Sequence, residues 1–173
     1  MQSPNWYELY EKLGIPKPKW REVDKAWIRL YAEEHPTLQP DAKDCLSALH
    51  ERFRLALVSN GSKRRVPGEL RRFGLDSFFE VVTLGGVKEE LKPSPVLLER
   101  TLRALKLSPQ NAVYVGDAPA DIQAARKAGV LSIAIARGSV LARRLERENP
   151  DYLFGGLRDM TRFLLRGQPT RAS

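Results

Sequence analysis

The chain has 173 residues, 42% of them hydrophobic and 29% charged, which is the size and balance of one globular domain with or without a small appendage. Its 29 Lys and Arg against 21 Asp and Glu leave a net charge of +8, which suits an anionic ligand and says nothing about fold. No apolar run approaches the roughly 20 residues of a membrane-spanning helix, the first twenty residues lack a signal-like apolar stretch, and one cysteine with two histidines excludes an internal disulfide and a Cys- or His-rich metal site. The expected compartment is therefore the reducing cytoplasm.

Ser3 and Pro4 form a helix start, and Trp6, Leu9, Tyr10 and Leu13 follow at helical spacing until Gly14. A second helix opens after Pro16 and Pro18, with Trp20, Val23, Trp27, Leu30 and Tyr31 as its apolar stripe. A third runs from about Asp41, with Leu46 and Leu49 on one face. From residue 53 the pattern changes. Short apolar runs at 55–58, 81–83, 112–115, 131–135 and 152–154 predict strands. Helices are predicted between and after them, at 62–73, 95–106, 119–128, 139–148 and 157–165. Residues 167–173 have no periodicity and read as a flexible tail. Strands alternating with helices imply an α/β fold, a Rossmann-like parallel sheet sandwiched by helices, whose ligands bind beyond the carboxyl ends of the strands.

Three polar stations stand at such ends. Ser59, Asn60 and Gly61 follow the first strand, where a hydroxyl beside helical N–H groups suits a phosphoryl oxygen; a plain helix cap explains the same residues. Lys92 sits between Leu91 and Pro93, just before a helix, where a rigidly held cation could neutralise phosphate charge. Asp117 directly follows the third strand, and Asp121 lies four residues on, so the two carboxylates can share one face and hold Mg²⁺ or simply cap the helix. Cys45 reads as packing and His50 as a helix end. The basic cluster of Lys63, Arg64, Arg65, Arg71 and Arg72 reads as a solvated helix face, so nucleic acid is not an expected partner.

The order of these stations resembles the haloacid dehalogenase-like hydrolase superfamily, and Val113–Val130, VYVGDAPADIQAARKAGV, is similar to the family's last motif nearly residue by residue. The resemblance covers residues 40–165. It implies a helical cap subdomain, present in part at 1–40, a core at 41–166 and a tail at 167–173. It also implies a Mg²⁺-dependent phosphatase acting on a small phosphorylated metabolite. In that reading Ser59 holds the transferring phosphoryl group, with Asn60 and Gly61 beside it. Lys92 offsets charge on the aspartate nucleophile, Asp117 holds Mg²⁺, and Asp121 supports the metal or orients the lysine. Alternatives are a non-catalytic phosphate-binding or interaction protein on the same scaffold and a metal-free haloacid dehalogenase, the latter disfavoured by the Gly116–Asp117 pair.

The chain departs from the family at one place. The family's first motif, a strand ending in Asp-x-Asp, occurs nowhere in the sequence, whose aspartates are at 24, 41, 44, 76, 117, 121, 151 and 159. Loss of a strand, a nucleophile and a general acid together reads as an N-terminally shortened chain, inactive as it stands, with a non-catalytic homologue or a partner that supplies the strand as the alternatives. In the family that strand is central, flanked by the strands at 54–58 and 112–115. The expectation is either an open slot between them, with instability or oligomerisation through an open sheet edge, or direct pairing of the two.

Overall fold

The computed structural model describes residues 10–33, 37–61, 63, 65–85, 87–167 and 169, and divides into two compact units, residues 1–39 and 40–173. In the first unit residues 10–12 are helical, a single 3₁₀ turn spans Lys17–Lys19, and helix α1 covers Trp20–Glu33. Tyr10 is buried and stacks obliquely on Trp20, whose indole N–H donates to the Ile15 carbonyl at 2.9 Å. The predicted start at Ser3 and Pro4, and Trp6, lie outside the described residues, as do the side chains of Trp27, Leu30 and Tyr31.

The second unit alternates helix and strand. Its elements are α2 (Ala42–His50), β1 (Ala56–Ser59), α3 (Arg65–Phe73), β2 (Val81–Leu84), α4 (Val96–Leu105), β3 (Val113–Gly116), α5 (Pro119–Lys127), β4 (Leu131–Ile135), α6 (Ser139–Glu146), β5 (Tyr152–Phe154) and α7 (Leu157–Arg166). The five predicted strands are all present, each within a residue or two of its expected bounds. Of the expected flexible tail, residue 168 and residues 170–173 lie outside the described residues.

The helices cover two faces. Leu131, Ile133 and Ile135 alternate along β4 toward one face and form a core with Cys45 and Leu49 of α2 and Met160 and Leu164 of α7. Ala134 points the other way, onto Ile122 of α5 and Leu145 of α6. The stripe of α2 is thus Cys45 and Leu49, one residue off the expected Leu46; Cys45 packs in the core, as expected of it. A further core joins Leu98 and Leu102 of α4 to Ala124 and Ala125 of α5, with Val58 and Tyr114 against it.

The sheet is not continuous. β1 pairs with β2, and β3–β4–β5 form a separate parallel ladder; no pairing joins β1 to β3 among the described residues. Of the two arrangements expected, direct pairing of β1 with β3 is the one not seen. Burial follows. β4 is buried at every residue, whereas β1 is half-buried throughout and Val113 of β3 is 37% exposed. Each of these two strands has a strand neighbour on one side only among the described residues, which leaves it less buried than β4.

Candidate active site

The three polar stations converge at the carboxyl ends of β1 and β3. Asn60, just past β1, receives the Lys92 backbone N–H on its side-chain oxygen at 2.9 Å and donates from Nδ2 to the Lys92 carbonyl at 3.3 Å. This paired clasp fixes the Leu91–Pro95 loop against β1, and a turn in which the Ser94 N–H donates to the Leu91 carbonyl tightens it. The Lys92 side chain is thereby turned inward and is only 13% exposed. Its ammonium lies 2.6 Å from Asp121 Oδ1 and donates to the Tyr114 hydroxyl oxygen at 2.9 Å.

Asp121 is held as firmly. Its Oδ2 accepts the backbone N–H groups of Asp117 at 3.1 Å and Ala118 at 3.0 Å, closing the first turn of α5. A Cβ on Gly116 would stand 2.3 Å from the Asp121 Cβ, so the carboxylate reaches this place only because residue 116 has no side chain. Tyr114 and Gly116 share a face of β3, two residues apart, which puts the phenol beside the same carboxylate. The Tyr114 hydroxyl lies 3.3 Å from Asp121 Oδ1 and 3.4 Å from the Val58 carbonyl, and its single proton serves one of them at a time. Burial, and next the negative charge of Asp121, push the phenol well above its ordinary value of 10.0.

Ser59 Oγ accepts the Gly61 N–H at 2.9 Å, and its own proton has no acceptor among the described residues. Gly61 has little room: a Cβ there would meet Val66 Cγ2 at 2.7 Å and Ser59 Oγ at 3.0 Å. The Asp117 carboxylate is exposed and has no hydrogen-bond partner among the described residues. The expected acid pair is therefore divided in its duties. Both Asp121 oxygens are engaged within the chain, while Asp117 has lone pairs to offer a cation. A Mg²⁺ ion, which takes one or two carboxylates plus phosphate oxygens and waters, fits Asp117 as one corner of its shell. The described residues include no group of three acidic, His or Cys side chains that could enclose an ion without outside ligands.

Tyr114, the clasping role of Asn60 and the clearance at Gly116 were not legible as site features in the sequence. The available signal was a hydroxyl-bearing residue in an otherwise apolar strand, two positions before glycine. In the basic cluster, Arg65 pairs with Glu69 one turn along α3 and Arg72 lies over the Phe73 ring, and Arg64 is outside the described residues. A depression of about 270 Å³ lined by Lys63, Val82, Thr83, Leu84 and Arg100 includes none of Ser59, Lys92 or Asp117, and Arg100 there is paired with Glu90.

Residues 2–135 match the haloacid dehalogenase-like hydrolase family. The chain belongs to that family. It is 31% identical over 140 residues to a candidate pyrophosphatase from Caldanaerobacter subterraneus, covering 79% of this chain and 64% of that protein. It is 33% identical over 121 residues to a phosphoglycolate phosphatase from Vibrio vulnificus, covering 69% of this chain and 53% of that protein. The chain thus spans between about half and two thirds of the length of these relatives. A haloacid dehalogenase-like hydrolase from Streptococcus pneumoniae shares the fold, with a TM-score of 0.81 at 20% identity over 95% of this chain and 78% of that one. The haloacid dehalogenase-like α/β fold of parallel strands flanked by helices is accordingly established.

Proposed function

We propose that this chain carries the phosphate-handling half of a Mg²⁺-dependent phosphatase acting on a small phosphorylated metabolite. The observation that carries the reading is the Lys92 ammonium, clamped by Asp121, Tyr114 and Asn60 at the level where β1 and β3 end. A cation with so little rotational freedom offers charge at a fixed point and loses little on meeting an anion there. The names of the relatives, a phosphoglycolate phosphatase and a candidate pyrophosphatase, support a phosphoryl group as that anion.

Each residue then has a task. Ser59 donates its unengaged hydroxyl proton to a phosphoryl oxygen, and the Gly61 N–H holds the hydroxyl in place. Lys92 balances negative charge at the transferring group. Asp121 and Tyr114 position Lys92, and this contact supports the lysine-orienting role for Asp121. Asp117 would hold Mg²⁺, which supplies charge neutralisation to the phosphate when bound. Residues 1–40 would belong to the helical cap that selects the substrate.

No Asp-x-Asp pair occurs in the 173 residues, so the chain by itself lacks the carboxylates that take and release the phosphoryl group in its family and is inactive in this reading. The test is to extend the chain at its N-terminus with a strand-forming segment ending in Asp-x-Asp and to measure phosphate release from phosphoglycolate, pyrophosphate and p-nitrophenyl phosphate. Mg²⁺-dependent release that disappears in Lys92→Ala supports the reading. No release from any phosphate ester by a folded, extended chain rejects it.

A further inference from the structure

Lys92 projects from a loop, and a loop needs more than one hold to keep a side chain in place. Its backbone is fixed at one point, where Asn60 receives the Lys92 N–H and donates to the Lys92 carbonyl. Two bonds to one side chain define an axis about which the loop can still turn. The lysine side chain does not remove that freedom, since its ammonium rides on a flexible four-carbon stem. A hold away from the axis is required, and residues 85–91 supply it.

Between β2 and Lys92 the chain makes a single 3₁₀ turn, Lys88–Glu90, in which the Glu90 N–H donates to the Val87 carbonyl at 3.1 Å. The turn carries Glu90 to α4, where Arg100 Nη2 donates to Glu90 Oε1 at 2.5 Å. Arg100 stands on a helix that Leu97, Leu98 and Leu102 bury in the core, so the guanidinium is mounted on a rigid element. Beside Glu90, Leu91 sits against Gly85: a Cβ on residue 85 would overlap Leu91 Cδ2. Gly85 is fixed in turn, its N–H donating to the Ser59 carbonyl at the end of β1 at 3.1 Å.

We propose that Glu90 and Arg100 are positioning residues for Lys92: their ion pair, with Leu91 seated on Gly85, stops the loop from turning about Asn60 and so sets the point at which the ammonium stands. The pair itself is partly open to water, with Glu90 22% and Arg100 43% exposed, so it contributes little to the stability of the whole chain. Its effect is on placement, because Glu90 is two residues from Lys92 and any slack at Glu90 passes directly to the loop. A misplacement of about 1 Å in a reacting group can cost about two orders of magnitude in rate, so a hold of small stability has a large consequence at the site. The proposal rests on the phosphatase reading for what the ammonium meets, and not for how the ammonium is held.

The readout is the ammonium itself. The full chain is labelled with nitrogen-15, and the exchange of lysine ammonium protons with water is measured by proton–nitrogen correlation, with the amide of the fully buried Ile133 as the gauge of global opening. A buried, hydrogen-bonded ammonium exchanges slowly, and the slow signal that disappears in Lys92→Arg belongs to Lys92. Glu90→Gln and Arg100→Gln should each make Lys92 exchange about tenfold faster and leave Ile133 unchanged. The charge swap, Glu90→Arg with Arg100→Glu, should bring Lys92 back to within about twofold of the unaltered chain. Glu69→Gln, which breaks the comparable pair with Arg65 on α3, should have no effect. Unaltered Lys92 exchange in both single variants overturns the inference. Equal acceleration at Lys92 and Ile133 overturns it too, since the pair then acts on stability and not on placement. Acceleration that the charge swap does not reverse, or that Glu69→Gln reproduces, overturns it as well. Recovery in the charge swap together with an inactive extended chain rejects the phosphatase reading and leaves the positioning role standing; an active extended chain in which neither variant alters Lys92 does the reverse.

Discussion

Lys92 Nζ lies 2.6 Å from Asp121 Oδ1, with both side chains more than four fifths buried. The pair joins the loop before α4 to the first turn of α5 and so couples the two separate sheets. Breaking such a pair by removing one charge leaves the other desolvated and unbalanced, which is worse than never having built it. Asp121→Asn keeps an oxygen for the Asp117 and Ala118 N–H groups and removes the charge opposite Lys92. The expected loss is about 2–4 kcal/mol of unfolding free energy, read from urea unfolding. A loss below about 0.5 kcal/mol, within the range of ordinary surface changes, shows that Lys92 finds solvent instead.

Gly116→Ala places a methyl group where the Asp121 carboxylate now sits. Overpacking of this kind costs about 1–3 kcal/mol, and here it also dislodges the Lys92 anchor. The variant should lose stability and, in the N-terminally extended chain, most of its phosphate release. Full activity in a Gly116→Ala extended chain contradicts the role given to Asp121.

Alkaline titration tests Tyr114. Its folded-state pKa is raised above the ordinary 10.0 by burial and by Asp121. Above pH 10 the phenol ionises in the unfolded chain and stays protonated in the folded one, so the unfolded state gains and stability falls as pH rises. Below pH 10 the contribution is fully present. Tyrosinate absorbance near 295 nm should show Tyr114 ionising only with alkaline unfolding, and Tyr114→Phe should lack just that amplitude. Ionisation of Tyr114 near pH 10 in folded protein contradicts the buried hydrogen-bonded geometry.

The sequence made the alternation of strands and helices legible, because five short apolar runs alternate with stretches of helical period. It also placed Ser59 and Asp117 at strand ends, Lys92 just before a helix and Asp121 four residues after Asp117. What it could not show is which groups are satisfied by neighbours. Asp117 and Asp121 look alike four residues apart, but Gly116 clears space for only one of them to fold back. Tyr114 reads as one more apolar strand residue, since nothing local reveals that Lys92, 22 residues earlier, will rest on its hydroxyl. The partial burial of β1 and β3 is illegible for the same reason: apolar composition reports what a strand can bury, not whether a neighbour stands beside it.

A pair of core truncations measures that difference. Ile133 on β4 is fully buried, and Ile133→Ala should cost about 2–5 kcal/mol. Val113 on β3 is 37% exposed, and Val113→Ala should cost under about 1 kcal/mol, since the removed methyl groups are already partly in water. Similar losses at the two sites in thermal or urea unfolding contradict the split arrangement of the sheet.

In the proposed function, Ser59, Lys92 and Asp117 handle a phosphoryl group and the family's Asp-x-Asp carboxylates are absent from the 173 residues. The most direct measurement is phosphate release from p-nitrophenyl phosphate by the purified 173-residue chain with Mg²⁺, alongside the same chain extended by an Asp-x-Asp strand. Loss of a nucleophile and its acid together removes nearly all of the rate, since the two act as a unit. The expected result is no release above buffer by the chain itself and Mg²⁺-dependent, saturable release by the extended chain, abolished in Lys92→Ala and Asp117→Asn. Saturable turnover by the unextended, pure chain contradicts it.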